Sequence, residues 1–362
     1  GRHGYRYSFD MLGEAAMTEA DAKAYFSAYE AAIHAVGREA GLAGPRRGNG
    51  ISIKLSALHP RYTWSQMTRV RAELAPRLAE LCRLARHYDV GVNIDAEESE
   101  RLEPSLDLLE ILARDPELAD WDGLGFVVQA YQKRAPAVIA WLVQLARETR
   151  RPLMIRLVKG AYWDAEIKRA QVAGLADYPV YTRKAYTDVA YLACARQLLA
   201  ARRWIYPQFA THNAQTLAAV RTMAGEDAAG DYEFQCLHGM GEGLYDQFVS
   251  PEPGAPACRI YAPVGNHRTL LPYLVRRLLE NGANTGFVFR VMDESIPLED
   301  LLADPVVEAT ALGGQPHPLI PLPAALYAPV RVNALGLDLA DADVRVDVPR
   351  VAAGERRAVV RR

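Results

Sequence analysis

Eight short β-rich runs, each leading into a longer stretch, set the tightest limit on what this chain can fold into. The runs are Tyr5–Met11, Ile51–Ala57, Val90–Ala96, Gly125–Tyr131, Leu153–Gly160, Gln208–His212, Tyr232–Leu237 and Arg259–Val264. Between them, apolar residues recur at helical spacing over Glu19–Ala40, Ser65–His87, Arg101–Ala113, Ala135–Thr149, Val180–Ala201 and Ala214–Ala224. Strand alternating with helix argues for parallel pairing, because neighbouring parallel strands need a crossover between them. Eight such units in 362 residues fit an α/β fold of the closed (βα)8 TIM-barrel type better than an open doubly wound sheet. The strand interiors read as apolar, as a sheet covered on both faces requires.

Polar and charged residues gather where those runs end: Asp10 and Glu14, Lys54, Asp95 and Glu97, Gln129, Arg156 and Lys159, Thr211, His212 and Asn213, His238, and Tyr261. The carboxyl ends of barrel strands converge on one mouth, where active sites of this architecture lie. One polar rim residue means little, since loops are polar anyway. A polar group ending every strand is a stronger signal.

After the eighth run comes a helical segment, Leu270–Asn281, with Pro272 suited to its first turn and Asn281-Gly282 to its stop. Tyr273, Arg276, Arg277 and Glu280 share one side of it. Two readings stand side by side: a solvated Arg–Glu pair, or a roof whose two guanidiniums hold a small carboxylate over the mouth.

Composition narrows the function. Half the residues are hydrophobic and 24% charged, with a net charge of −2, so nothing suggests nucleic acid or an acidic membrane surface as partner. Cys82, Cys194, Cys236 and Cys258 show no CxxC or zinc spacing and read as reduced cytoplasmic cysteines. No apolar run is long enough to span a bilayer, and a chain opening on Gly1 rather than Met is expected to be a fragment. Residues 1–312 read as the barrel. Residues 313–362 read as a proline-rich linker and tail, with Val344–Val348 alternating like a strand and a basic end.

Several chemistries are absent or weakly signalled. There is no GxGxxG after a strand, no GxxxxGK[ST] and no GxSxG. The run from His238 to Gly243 resembles a phosphate cradle only loosely and reads equally well as a loop over the mouth. Asp95, Glu97, His212 and His238 offer a mouth metal site, but without an HxH or HxxE pair to set its geometry. Lys159 in IRLVKGAYWD suits a Schiff base with a carbonyl substrate; alternatively Lys54 and Lys159 are permanent cations that attract an anion.

The strand-end words together resemble the flavin-dependent proline dehydrogenases, as found in the bifunctional bacterial proline utilization enzymes. They are YRYSFDMLGEAA from Tyr5, ISIKLSALHPRY from Ile51, NIDAEE from Asn93, QAYQKRA from Gln129 and IRLVKGAYWD from Ile155. They continue with YPVYTRKAYTD from Tyr178, FATHNAQT from Phe209, YEFQCLHGMGE from Tyr232, CRIYAPVGNH from Cys258 and YLVRRLLENGANT from Tyr273.

The resemblance implies a distorted (βα)8 barrel that binds FAD, with the last helix over the carboxyl-end mouth. It implies a hydride passed from Cδ of L-proline to flavin N5, giving Δ1-pyrroline-5-carboxylate, with electrons passed on to a quinone. By the same resemblance Lys54, Arg276 and Arg277 hold the substrate carboxylate, and Tyr162, Leu237, Tyr261 and Tyr273 pack its ring. Asp95 and Glu14 are the acidic partners that orient Arg276. Gln129, Arg156, Lys159, Gly160, Ala161, Trp163, Thr182, Lys184, Thr211, His212, Asn213, Gln235, Arg277 and Glu280 fall where the family contacts FAD, with Arg156 beside N5. Small carboxylate analogues of proline should bind too. The parent chain would carry an aldehyde dehydrogenase domain beyond the linker, in a cytoplasmic enzyme peripheral to the inner face of the cell membrane. The proton acceptor for the substrate amine stays unassigned.

Overall fold

The computed structural model describes residues 4–41, 43–225, 228, 230–247, 249, 256–282, 297, 303–341 and 344. Eight parallel strands close into a barrel in chain order. They are β1 (Arg6–Met11), β2 (Gly50–Ile53), β3 (Gly91–Ile94), β4 (Leu124–Gln129), β5 (Leu153–Val158), β6 (Ile205–Ala210), β7 (Glu233–Leu237) and β8 (Ala257–Val264). Strand β8 pairs with β1 from Arg6↔Arg259 to Met11↔Val264, which closes the ring and leaves no sheet edge to protect.

The principal helices are α1 (Glu19–Ala40), α2 (Ala75–His87), α3 (Leu102–Ala113), α4 (Ala135–Thr149), α5 (Trp163–Ala173), α6 (Lys184–Ala200), α7 (Ala214–Ala224), α8 (His267–Gly282) and α9 (Pro305–Ala311). Helix α1 starts at a capping box: Thr18 accepts from the Asp21 amide, and the Asp21 carboxylate accepts from the Thr18 amide. The apolar core lies outside the strands. There Ile51, Ile53, Val92, Ile94, Phe126, Ile155, Phe209 and Phe234 pack in one cluster with helix residues such as Ile33, Leu78, Leu108, Leu142 and Leu198. All of these are buried, and this layer supplies the hydrophobic drive of the fold.

Inside the barrel the expectation of apolar strand interiors is overturned. Side chains alternate across a strand, and the inward set here includes Ser8, Asp10, Ser52, Asn93, Arg156, Gln208, Glu233, Gln235 and Arg259, all buried. A (βα)8 barrel usually fills this space with branched apolar residues. Here most of the polar groups hydrogen-bond to one another, which offsets much of the cost of burying them.

Smaller differences have local causes. The run from Ile51 leaves strand geometry after Ile53 and turns into a short helix, Leu55–Leu58. The stretch read as one helix over Ser65–His87 passes through a 3-10 turn and a π turn at Val70–Leu74 before α2. Val180 makes an antiparallel bridge with Gln132, and α6 begins only at Lys184. Helix α5 went unread because Lys168, Arg169 and Gln171 interrupt its apolar spacing. Helix α8 starts at His267, so Pro272 lies inside it rather than in its first turn.

Beyond α9 the described residues run without long regular elements along the outer wall. Tyr178 donates to the Pro321 carbonyl at 2.7 Å, the His317 amide to Thr182 at 3.0 Å, and the Gly336 amide to the Gly174 carbonyl at 2.8 Å. Of the suggested strand Val344–Val348, Val344 is helical and the rest lies outside the described residues. Among the described residues no helix is long and apolar enough to cross a membrane.

Candidate active site

The carboxyl ends of the strands enclose a cavity of about 320 Å³, roofed by α8. Its floor is a network of buried ions. Lys54, just after β2, is in contact with Asp10 on β1. It also donates to Asp95 at 3.3 Å and to Tyr261 at 3.2 Å. Tyr261 donates to the same Asp95 oxygen at 2.6 Å. Arg156 reaches the other Asp95 oxygen at 2.9 Å, Gln235 at 2.6 Å, and Ser8 and Ser52 at 3.1 Å each. Burial lowers the Lys54 pKa, but Asp10, then Tyr261 and Asp95, outweigh it and hold it well above the usual lysine range. Lys54 is therefore a fixed cation. Burial, then Asp10 and Asp95, pushes the Tyr261 hydroxyl up as well, so it stays a donor.

The roof carries the two guanidiniums. Arg276 forms a two-pronged pair with Glu14 at 2.6 and 2.9 Å and lies 5.3 Å from the centre of the Tyr162 ring. Arg277 lies 5.2 Å from the Tyr273 ring. Burial lowers the Arg276 pKa, yet the Glu14 hydrogen bond and the neighbouring tyrosines raise it further, leaving a permanent cation. Of the two acidic partners expected for Arg276, only Glu14 reaches it. Both oxygens of Asp95 are committed, one to Lys54 and Tyr261 and the other to Arg156.

One wall of the cavity is built by β5 and the loop after it. Lys159 and Lys184 share Asp188. Gly160 sits at φ +140°, and a Cβ there would stand 2.5 Å from the Tyr131 ring, so only glycine lets the loop pass. The Ala161 amide donates to Gln129, 3.3 Å away. His212 accepts from the Leu237 amide at 3.0 Å, which places its proton on Nδ1. Burial, then the charges of Arg277 and Lys159, depresses its pKa to about 4, so the ring is neutral.

The cavity gathers Lys54, Asp95, Gln129, Arg156, Lys159, Gly160, Ala161, Tyr162 and Lys184. It also gathers Thr211, His212, Asn213, Gln235, Leu237, Tyr261, Tyr273, Arg276 and Arg277. Trp163 and Thr182 do not line it: Trp163 donates to the Tyr181 carbonyl at 2.8 Å, and Thr182 accepts from His317. The side chain of Glu280 lies outside the described residues. Glu97 is tied to Arg101 and to the Ser56 amide, and no metal-holding group of three His, Cys, Asp or Glu exists among the described residues. Ser8, Ser52 and Asp188 were missed. The first two were legible as the polar members of i, i+2 pairs with Asp10 and Lys54 at the strand ends, and Asp188 as the i,i+4 partner of Lys184.

A closed (βα)8 barrel with buried ions at its carboxyl end and a cationic helix across the mouth has the architecture in which barrel enzymes build their active sites. The chain belongs to the proline dehydrogenase family, whose model matches residues 1–290. It is 63% identical over 348 residues to the Escherichia coli bifunctional protein PutA, covering 93% of this chain but 26% of that protein. It is 27% identical to proline dehydrogenase 1 of Bacillus subtilis, covering 80% of this chain and 82% of that one. A crystal structure of a Bradyrhizobium japonicum proline utilization A point mutant superposes with a TM-score of 0.90 at 51% identity, over 97% of this chain and 36% of that one. The chain thus spans about a quarter of the length of the first curated relatives it matches.

Proposed function

We propose that this chain oxidises L-proline to Δ1-pyrroline-5-carboxylate with FAD, the first step of proline catabolism. The observation that carries the reading is the convergence of Lys54, Arg276 and Arg277 on one cavity that also holds Arg156, Lys159 and Lys184. A family whose name specifies proline makes the carboxylate end of that substrate the anion in question.

The residues present fit FAD. Cationic and hydrogen-bonding donors line the cavity together with apolar and aromatic side chains, and the Gly160 loop passes close over Tyr131 as only glycine can. Lys159, Lys184, Gln129, Thr211, His212, Asn213 and the Gly160–Ala161 loop would hold it. Bound FAD supplies the hydride acceptor.

Lys54, Arg276 and Arg277 bind the substrate carboxylate from floor and roof. Tyr162, Leu237, Tyr261 and Tyr273 confine its ring, so that one carbon faces the reacting position. Glu14 keeps the Arg276 fork aimed. Lys54 keeps its proton on Nζ, and this chain's Asp95 keeps the Arg156 charge beside the site where negative charge grows. An analogue lacking the carboxylate would forgo the charge-assisted bonds these cations offer it, which gives selectivity. The reading extends to electron transfer to a quinone at the inner face of the membrane, and to a parent chain carrying an aldehyde dehydrogenase domain beyond residue 313. Purified protein should show flavin absorbance that bleaches on adding L-proline. Colourless protein that takes up no FAD, or flavin bands indifferent to proline, would overturn the proposal.

A further inference from the structure

Below the cavity, the barrel axis holds a second set of ions that the proposed reaction does not use. Glu233 on β7 and Arg259 on β8 are both fully buried and form a two-pronged pair at 2.7 and 3.0 Å. Arg259 also donates to the carbonyls of Gly48 at 2.7 Å and Arg46 at 3.1 Å, which ties it to the barrel floor. Glu233 then accepts from the side-chain amide of Gln235 at 2.8 Å, and the other end of that amide accepts from Nε of Arg156 at 2.6 Å. Strand alternation puts Glu233 and Gln235 on the same inward face.

The order of these bonds has a direction. An ionised carboxylate only accepts, so it must meet the NH2 end of Gln235. That leaves the Gln235 carbonyl facing the guanidinium. Were the amide turned over, its NH2 would face the Nε–H of Arg156, donor against donor. Burial pushes the Glu233 carboxyl up, but the charge and hydrogen bonds of Arg259 outweigh it and hold it below the usual range. Glu233 also accepts from Gln208 at 2.8 Å, so the same charge orients a second amide, whose carbonyl then takes Asn93 at 2.7 Å.

We infer that Glu233 is a positioning residue: its buried charge fixes the orientation of the Gln235 amide and thereby the seat of Arg156 at the cavity floor. The inference rests on the reading of that cavity as a flavin site with Arg156 beside the reacting end. Loss of the fixed acceptor at Nε lets the guanidinium tilt away from the place where reduction adds negative charge, and the reduced form of the cofactor is favoured less.

The test uses the paired substitution Glu233→Gln with Arg259→Gln, which removes the fully buried pair together; Arg6, 3.5 Å from Glu233 and partly exposed, keeps its hydrogen bond to the Arg46 carbonyl. The flavin midpoint potential of the purified, FAD-loaded protein is read by spectroelectrochemistry. The reduction equilibrium should shift about tenfold toward the oxidised form, about 30 mV for a two-electron couple. The kcat should fall while KM for proline stays within twofold, because the carboxylate clamp is untouched. A folded, flavin-loaded double variant with the parent potential overturns the inference. If the pair fails to fold, Gln235→Leu, which leaves Glu233 and Arg259 in place, decides the matter: an unchanged potential overturns it equally. Arg156→Met separates the two levels. If that variant also keeps the parent potential, it is the placement of Arg156 beside the flavin that fails.

Discussion

Replacing Arg276 with Met tests the carboxylate clamp most directly. Both terminal nitrogens of Arg276 already donate to Glu14, at 2.6 and 2.9 Å. That pair is 14% and 24% exposed, so solvent screens it and its net worth is about 1 kcal/mol or less. A proline carboxylate drawn beneath the roof would take those donors in a drier place, where each charge-assisted bond contributes roughly 1.5–3 kcal/mol. Two bonds at the low end, less the Glu14 pair given up, leave about 2 kcal/mol, or roughly a 30-fold rise in KM. Because the clamp acts on substrate and transition state alike, kcat should change much less. Steady-state kinetics on flavin-loaded Arg276→Met supply the assay, with the flavin absorbance confirming that the cofactor stays bound. Adding Glu14→Gln to that variant should change KM by less than twofold, since the contact of Glu14 with the site runs through Arg276. A KM within twofold of the parent in the flavin-loaded single variant refutes the clamp.

Asp95→Asn removes the charge between Lys54 and Arg156, and breaking such a buried pair costs about 3–5 kcal/mol, so both Tm and kcat should fall. A variant with parental Tm and kcat would free Asp95 from the floor network. Gly160→Ala forces a Cβ against Tyr131 at an unfavourable φ; the flavin content of the purified protein should drop, and full loading would show that the loop can move aside. His212 has a folded pKa of about 4 against an ordinary 6.5, so the unfolded chain binds more protons between those values. Its contribution is complete above pH 6.5 and is lost as pH falls toward 4. His212→Gln should flatten stability over that window in denaturant titrations, and an unaltered acid limb would contradict a buried neutral ring.

The barrel was legible because its two periodicities are clean. Runs such as LMIRLV and GFVVQ stand between amphipathic helices, and the alternation fixes both the count and the parallel sense. The rim was legible for a related reason: Lys54, Asp95 and Gln129 sit at or one residue past a strand's carboxyl end and Tyr261 three residues before one, where a barrel has to gather them. Partner choice was not legible. Glu14 and Asp95 are both rim carboxylates, and only the three-dimensional register shows that one rises to Arg276 while the other turns inward to Arg156. The departures of Trp163 and Thr182 from the cavity are of the same kind, since hydrogen bonds to Tyr181 and His317 draw them to the outer wall.

The polar interior explains why this barrel can hold three cations so close to one small cavity. Lys54, Arg156 and Arg259 are each balanced within the barrel by a buried carboxylate: Asp10, Asp95 and Glu233 respectively. An apolar filling would give a barrel of equal or greater stability, since buried ion pairs rarely outweigh well-packed apolar side chains. What it would not give is a fixed direction for each donor. Asp95 and Glu233 each accept from more than one side, so removing any single hydrogen bond leaves the cation held by others, whereas removing the carboxylate takes away its main counter-charge. On that reasoning, charge-removing substitutions at Asp10, Asp95 and Glu233 should disturb the site more than substitutions at Ser8 or Ser52, which touch Arg156 through neutral hydroxyls. Parallel thermal melts and flavin potentials for Asp10→Asn, Asp95→Asn, Ser8→Ala and Ser52→Ala put the ranking to the test, and serine variants as damaging as the carboxylate ones would reverse it.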